Sequence, residues 1–119
     1  MDYSKLSDFE INLRVAEIVV DYDCISRLPY TDMAVHWGDG ANWHVFNPCN
    51  NPADAWPIIH EHGISIAFDS YEDEWVAWGE FSFDQSGWDM RKEPEISYAH
   101  TNPLYAAMIV FLKMQDSRK

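Results

Sequence analysis

Two asparagine–proline pairs punctuate this chain, each standing directly before an apolar run: Asn51-Pro52 ahead of Ala53 to Ile59, and Asn102-Pro103 ahead of Leu104 to Leu112. Proline suits the first position of a helix, where its missing N–H would have no partner. Asparagine caps the position before it through a side-chain oxygen. Both runs are therefore predicted helices, and the second is apolar on nearly every side, so its centre should be buried. Length adds that a chain of 119 residues is one domain, 1–119, with 116–119 as a frayed tail.

The other elements follow from spacing. Ser7 and Glu10 stand at capping-box separation, Leu6 and Ile11 at staple separation, and Ile11, Val15, Ile18 and Val19 recur at the helical period. This predicts a helix from Ser7 to about Val19. Val20, Tyr22 and Cys24 alternate with acids as a strand would. Met33, Val35 and Trp37 return through Trp43, Val45 and Phe46 as a hairpin, with Gly38-Asp39-Gly40 at its turn. Gly63 is placed to end the second helix in a left-handed cap, and Pro57 inside that helix predicts a tight or bent first turn. Ile64, Ile66 and Phe68 should pair antiparallel with the run from Trp75 to Phe83, and 84–99 reads as a long loop. The expected fold is α+β in the order α-β-β-β-α-β-β-α: an antiparallel sheet of about five strands packed with three helices.

Twenty acids face eight bases, a net charge of −12, and no Lys or Arg occurs between Arg27 and Arg91. Nucleic-acid binding rests on cations that neutralise phosphates, so direct binding of DNA or RNA is not expected. The longest apolar run, Leu104 to Leu112, is far short of the roughly 20 residues a membrane helix needs. Met1 to Leu6 do not form a basic start followed by an apolar stretch, which predicts a cytoplasmic setting in which Cys24 and Cys49 stay reduced.

Catalytic and metal chemistry find thin material. Cys49 precedes a helix whose positive end could activate a thiol, with His60 and Asp54 as companions, yet it equally reads as a small buried loop residue. His60 and His62 point to different helical faces. His36 and His44 could face one another across the hairpin, with no third ligand in view. No catalytic residue, cofactor or metal is assigned. Six tryptophans are more than a domain this small can fully bury, and tryptophan favours interfaces and ligand walls. Alternation places Trp75 toward the core and Trp78 on the opposite face.

Three motifs in order, Asn51-Pro52-Ala53-Asp54-Ala55-Trp56-Pro57-Ile58-Ile59, then Trp75-Val76-Ala77, then Asn102-Pro103-Leu104-Tyr105-Ala106-Ala107-Met108, resemble the NinX family of small accessory proteins from P22-like and lambdoid phages. Many relatives read Gly-Gly where this chain has Ala55-Trp56. The resemblance implies a phage or prophage origin and the bacterial host's cytoplasm, and no biochemical activity. The reading that joins it to the residues is a non-enzymatic accessory protein that binds a host or phage protein through an acidic, Trp-rich surface. The alternative is a binder of a small, nucleotide-type molecule near the two Asn-Pro helix starts. Either would draw on Asn51, Asp54, Trp56, Trp75, Trp78, Trp88, Asn102 and Tyr105.

Overall fold

Ser7 opens the first helix as its spacing with Glu10 requires. The Ser7 hydroxyl accepts from Glu10 N at 3.2 Å, and Ser7 N donates back to Glu10 Oε1 at 3.1 Å, in the computed structural model of the chain. The structure describes residues 2–20, 25–26, 35–38, 43–80 and 96–117. Helix α1 runs Asp8–Val19, and a short 3-10 turn, Tyr3–Lys5, precedes it. Strands β1 (Ile25–Ser26), β2 (Val35–Gly38) and β3 (Trp43–Phe46) follow, then helix α2 (Pro52–His62). Strands β4 (Ser65–Asp69), β5 (Glu74–Gly79) and β6 (Ile96–His100) lead into helix α3 (Pro103–Asp116).

Both Asn-Pro pairs cap as their chemistry demands. Asn51 Oδ1 accepts from Ala53 N at 3.0 Å, and Asn102 Oδ1 accepts from Leu104 N at 2.9 Å and from Tyr105 N at 3.4 Å. The first turn of α2 is tight: Asp54 N and Ala55 N both donate to Asn51 O, the former spanning only three residues. Gly63 ends the helix at φ 63°, with its own N–H and that of Ile64 both on Ile59 O. That pair of bonds closes the helix through a left-handed residue, which glycine adopts without a Cβ penalty.

The class and the helix–strand order are as expected, with two refinements. The strands form two three-stranded antiparallel sheets, β1-β2-β3 and β4-β5-β6, where one sheet of about five strands was predicted. Helix α2 separates the two, so the second meander starts afresh. Strand β6 lies mostly inside the predicted 84–99 loop and pairs with β5 from Trp75↔His100 to Gly79↔Ile96. Of the predicted strand at 20–24 only Val20 is described, as the cap of α1, and 21–24 lie outside the described residues; the first described strand is Ile25–Ser26, against Trp37 and His36. Gly38 ends β2, while 39–40 of the predicted turn and the Trp75 to Phe83 run beyond Glu80 lie outside the described residues.

Helix α3 is the centre of the core. Every residue from Tyr105 to Leu112 is buried, as is Met114. It packs against β5 and β6 on one side and against α1 and α2 elsewhere. Gly79 makes the closest approach: a Cβ there would stand 2.6 Å from Met114 Sδ. The face of β5 that carries Gly79, Ala77 and Trp75 therefore looks onto α3, and Val76 and Trp78 look away.

Tyr3 ties the two ends of the described chain together, its hydroxyl donating to the Asp116 carboxylate. Burial, and then the bond to Asp116, push its pKa up to about 12. The fold favours the neutral phenol, so the stability this tie contributes is intact below the ordinary tyrosine range near pH 10 and is lost as pH rises toward 12. The urea midpoint of the wild type should fall over that window more steeply than that of Tyr3→Phe; parallel curves would remove Tyr3 from the alkaline transition.

Candidate functional site

The starts of all three helices converge on the loop before α2. Asn12, buried in α1, donates from Nδ2 to Asn47 Oδ1 at 2.8 Å and accepts from Cys49 N at 3.0 Å. Asn102 donates from Nδ2 to Cys49 O at 2.7 Å and to Asn50 Oδ1 at 3.2 Å. Asn50 Nδ2 reaches Asp8 Oδ2 at 3.0 Å, and Asn47 N donates to Asp54 Oδ2 at 2.9 Å. Tyr105 stacks on His100 with ring centroids 4.3 Å apart and donates its hydroxyl to Leu6 O at 3.0 Å. Asn51, Asp54, Asn102 and Tyr105 are thus brought to one region, and their polar atoms serve the backbone.

This region offers an anion little. The side chains of Asn51 and Asn102 occupy first-turn N–H groups of their helices, and the carboxylates of Asp8 and Asp54 stand beside them. Nor does it offer a nucleophile. Cys49 is fully buried, and burial, followed by the charge of Asp8, pushes its thiol well above the usual range, so the reactive thiolate is suppressed. His60 stands on the exposed side of α2 against Trp56.

The tryptophans divide by place. None of the five described is buried, as their number in so small a domain suggested. Trp78 sits half-buried on the outer face of β5, between Ser65 and Ser97 in register. Trp56 is 61 % exposed, its ring centroid 6.0 Å from that of His60. Trp88 lies outside the described residues. Of the histidine pairs, His62 meets the Phe111 ring at a tilt, centroids 4.8 Å apart, whereas His60 lies against Trp56. His36 pairs with Val45 and His44 with Trp37, so the two imidazoles lie on opposite faces of the sheet and cannot share an ion.

Trp75 marks a different surface. Its ring meets that of Phe68 edge-on at 5.2 Å, and Phe68 is 50 % exposed at the end of β4. Beyond it, residues 70–73 form a four-residue turn closed by the pair Asp69↔Glu74. Asp69 Oδ1 accepts from Tyr71 N at 3.0 Å and Glu72 N at 3.4 Å, holding the turn, and Asp73 takes a left-handed φ of 56°. Tyr71 projects from the tip at 92 % exposure, with Glu72 and Asp73 exposed next to it. The tip therefore carries aromatic area and four carboxylates, with no Lys or Arg on either strand of the hairpin. Tyr71, Phe68 and the acids were not among the residues predicted for a site. An aromatic residue inside an otherwise polar, acidic linker was the available signal.

A cleft of about 480 Å³ opens between the end of α1, β2, β3 and α2. Val20, Trp37, Phe46, Pro57 and Ile58 form its apolar walls, and Asp54 and Glu61 line it from α2. It was not foreseen, because its walls come from residues far apart in sequence. Among the described residues no helix is long and apolar enough to cross a membrane.

The family model described as Bacteriophage P22, NinX matches residues 2–115. No curated protein and no solved structure matches the chain.

Proposed function

The chain belongs to the bacteriophage P22 NinX family, and from that premise we propose that this phage accessory protein acts, without catalysis, by docking the tip of its β4–β5 hairpin on a basic protein of the host cytoplasm. The observation that carries the reading is Tyr71, 92 % exposed at the tip of a turn that Asp69 holds in shape. A soluble domain gains nothing in stability from an aromatic ring so displayed, whereas interfaces favour tyrosine as an anchor of low conformational entropy. Phe68 extends the apolar area, and Asp69, Glu72, Asp73 and Glu74 surround it with one sign of charge. Such a patch steers a lysine- or arginine-rich surface toward it and suppresses acidic partners. The net charge of −12 acts over the whole molecule in the same sense.

The test is capture from host lysate by the wild type, Tyr71→Ala, and the double substitution Glu72→Gln with Asp73→Asn. Asparagine tolerates the left-handed backbone at 73, so the fold should survive. A basic protein retained by the wild type at low salt should be released as salt screens the tip, and lost from both variants while their melting temperatures hold. Equal retention by all three proteins would refute the hairpin as the docking surface.

A further inference from the structure

We propose that the cleft between α1, the first sheet and α2 is a binding site for a small organic cation, an aromatic or apolar body bearing one ammonium group. Its volume of about 480 Å³ falls within the range of roughly 300–1,000 Å³ typical of small-ligand sites. Trp37 and Phe46 reach it from β2 and β3, and Pro57 and Ile58 from α2. Those walls suit a flat apolar body, and aromatic faces attract a cation held over them.

The charge of the lining selects the head group. Asp54 and Glu61 are seven residues apart on α2, two turns, so both carboxylates stand on one side of the helix. Asn47 N fixes Asp54 through Oδ2 at 2.9 Å, which sets its carboxylate in place before any ligand arrives. Glu61 lies in the last turn, where the helix dipole adds negative potential. The elements β2, β3 and α2 all fall in the stretch between Arg27 and Arg91 that contains no Lys or Arg. A phosphate or carboxylate would meet two negative groups there with no Lys or Arg on those elements to offset them. An ammonium meets two partners. A nucleotide is thereby the wrong class of ligand for this cleft, and an amine is the right one.

Three probes share an indole body and differ only in the head: tryptamine (ammonium), tryptophol (hydroxyl) and indoleacetate (carboxylate). Each is titrated into the full chain and followed by backbone amide NMR. Tryptamine should give saturable shifts at Val20, Trp37, Phe46 and along Ala53 to Glu61. Tryptophol should bind about tenfold more weakly, since a charge-assisted hydrogen bond is lost, and indoleacetate not measurably. Glu61→Gln should weaken tryptamine by a similar factor and leave tryptophol unchanged. The Glu72→Gln, Asp73→Asn protein should bind tryptamine as the wild type does, which separates this cleft from the hairpin surface. No saturable shift at millimolar tryptamine, equal affinity for amine and alcohol, indifference to Glu61→Gln, or loss of binding in the hairpin variant would each overturn the proposal.

Discussion

Asn102→Ala is expected to destabilise the fold by about 2–4 kcal/mol, well beyond the loss of an ordinary helix cap. A capping asparagine alone is worth about 0.5–2 kcal/mol. Asn102 does more than cap. Its Oδ1 takes the N–H groups of Leu104 and Tyr105, while Nδ2 donates to Cys49 O and Asn50 Oδ1, tying α3 to the loop before α2. Alanine leaves the Cys49 carbonyl without this donor in a partly buried setting, at a cost of about 1–3 kcal/mol more. Asn51 is the control. It caps α2 through one exposed bond to Ala53 N, so Asn51→Ala should cost about 1 kcal/mol. Asn102→Asp divides the two roles: it keeps the accepting oxygen but turns a carboxylate toward Cys49 O. Urea denaturation of the three variants decides the matter. Equal losses for Asn102→Ala and Asn51→Ala would mean that the tie between the two helix starts contributes nothing.

Phe111→Ala should cost about 3–5 kcal/mol, the range for emptying a fully enclosed aromatic site. Phe111 is completely buried in α3, and its ring meets His62 at the end of α2 at 4.8 Å. The surroundings are helices and a sheet that all bear on α3, so the cavity has few ways to collapse. Domains of this kind are stable by about 5–15 kcal/mol in all, and this one substitution would remove a large share. Trp56→Ala supplies the contrast. The larger ring is 61 % exposed, so its removal should change stability by no more than about 0.5 kcal/mol. Denaturant midpoints for the pair provide the check. A Phe111→Ala loss as small as that of Trp56→Ala would mean that the core is not organised around α3.

The candidate surfaces were legible to different degrees. The acids of the β4–β5 turn were plain in the sequence, but contiguous acids usually indicate only a solvated loop. Their interest comes from Phe68 and Tyr71, whose exposure depends on where β4 ends and on the turn that Asp69 closes. Of the eight residues named from the sequence, Asn51, Asp54, Asn102 and Tyr105 lie about the loop before α2. Their hydrogen bonds assign that group to holding the helix starts together. The cleft was invisible, because Val20, Trp37, Phe46 and Glu61 share no motif and meet only after folding.

Local chemistry alone determined the helices: the Ser7–Glu10 box, the two Asn-Pro starts and Gly63 each act within about one helical turn, so the chain order specifies them completely. The family likewise followed from short motifs in order. Tertiary structure alone decided that the strands divide into two sheets, that Ile96–His100 joins β5, and which carboxylates line a cleft. The reason is range. A strand's partner lies outside its own segment, and Ile96, Tyr98 and His100 alternate with Ser97 and Ala99 too weakly to announce a strand until β5 supplies the ladder. A pocket depends on contacts still more distant, so it exists only once α2 has packed beside the first sheet.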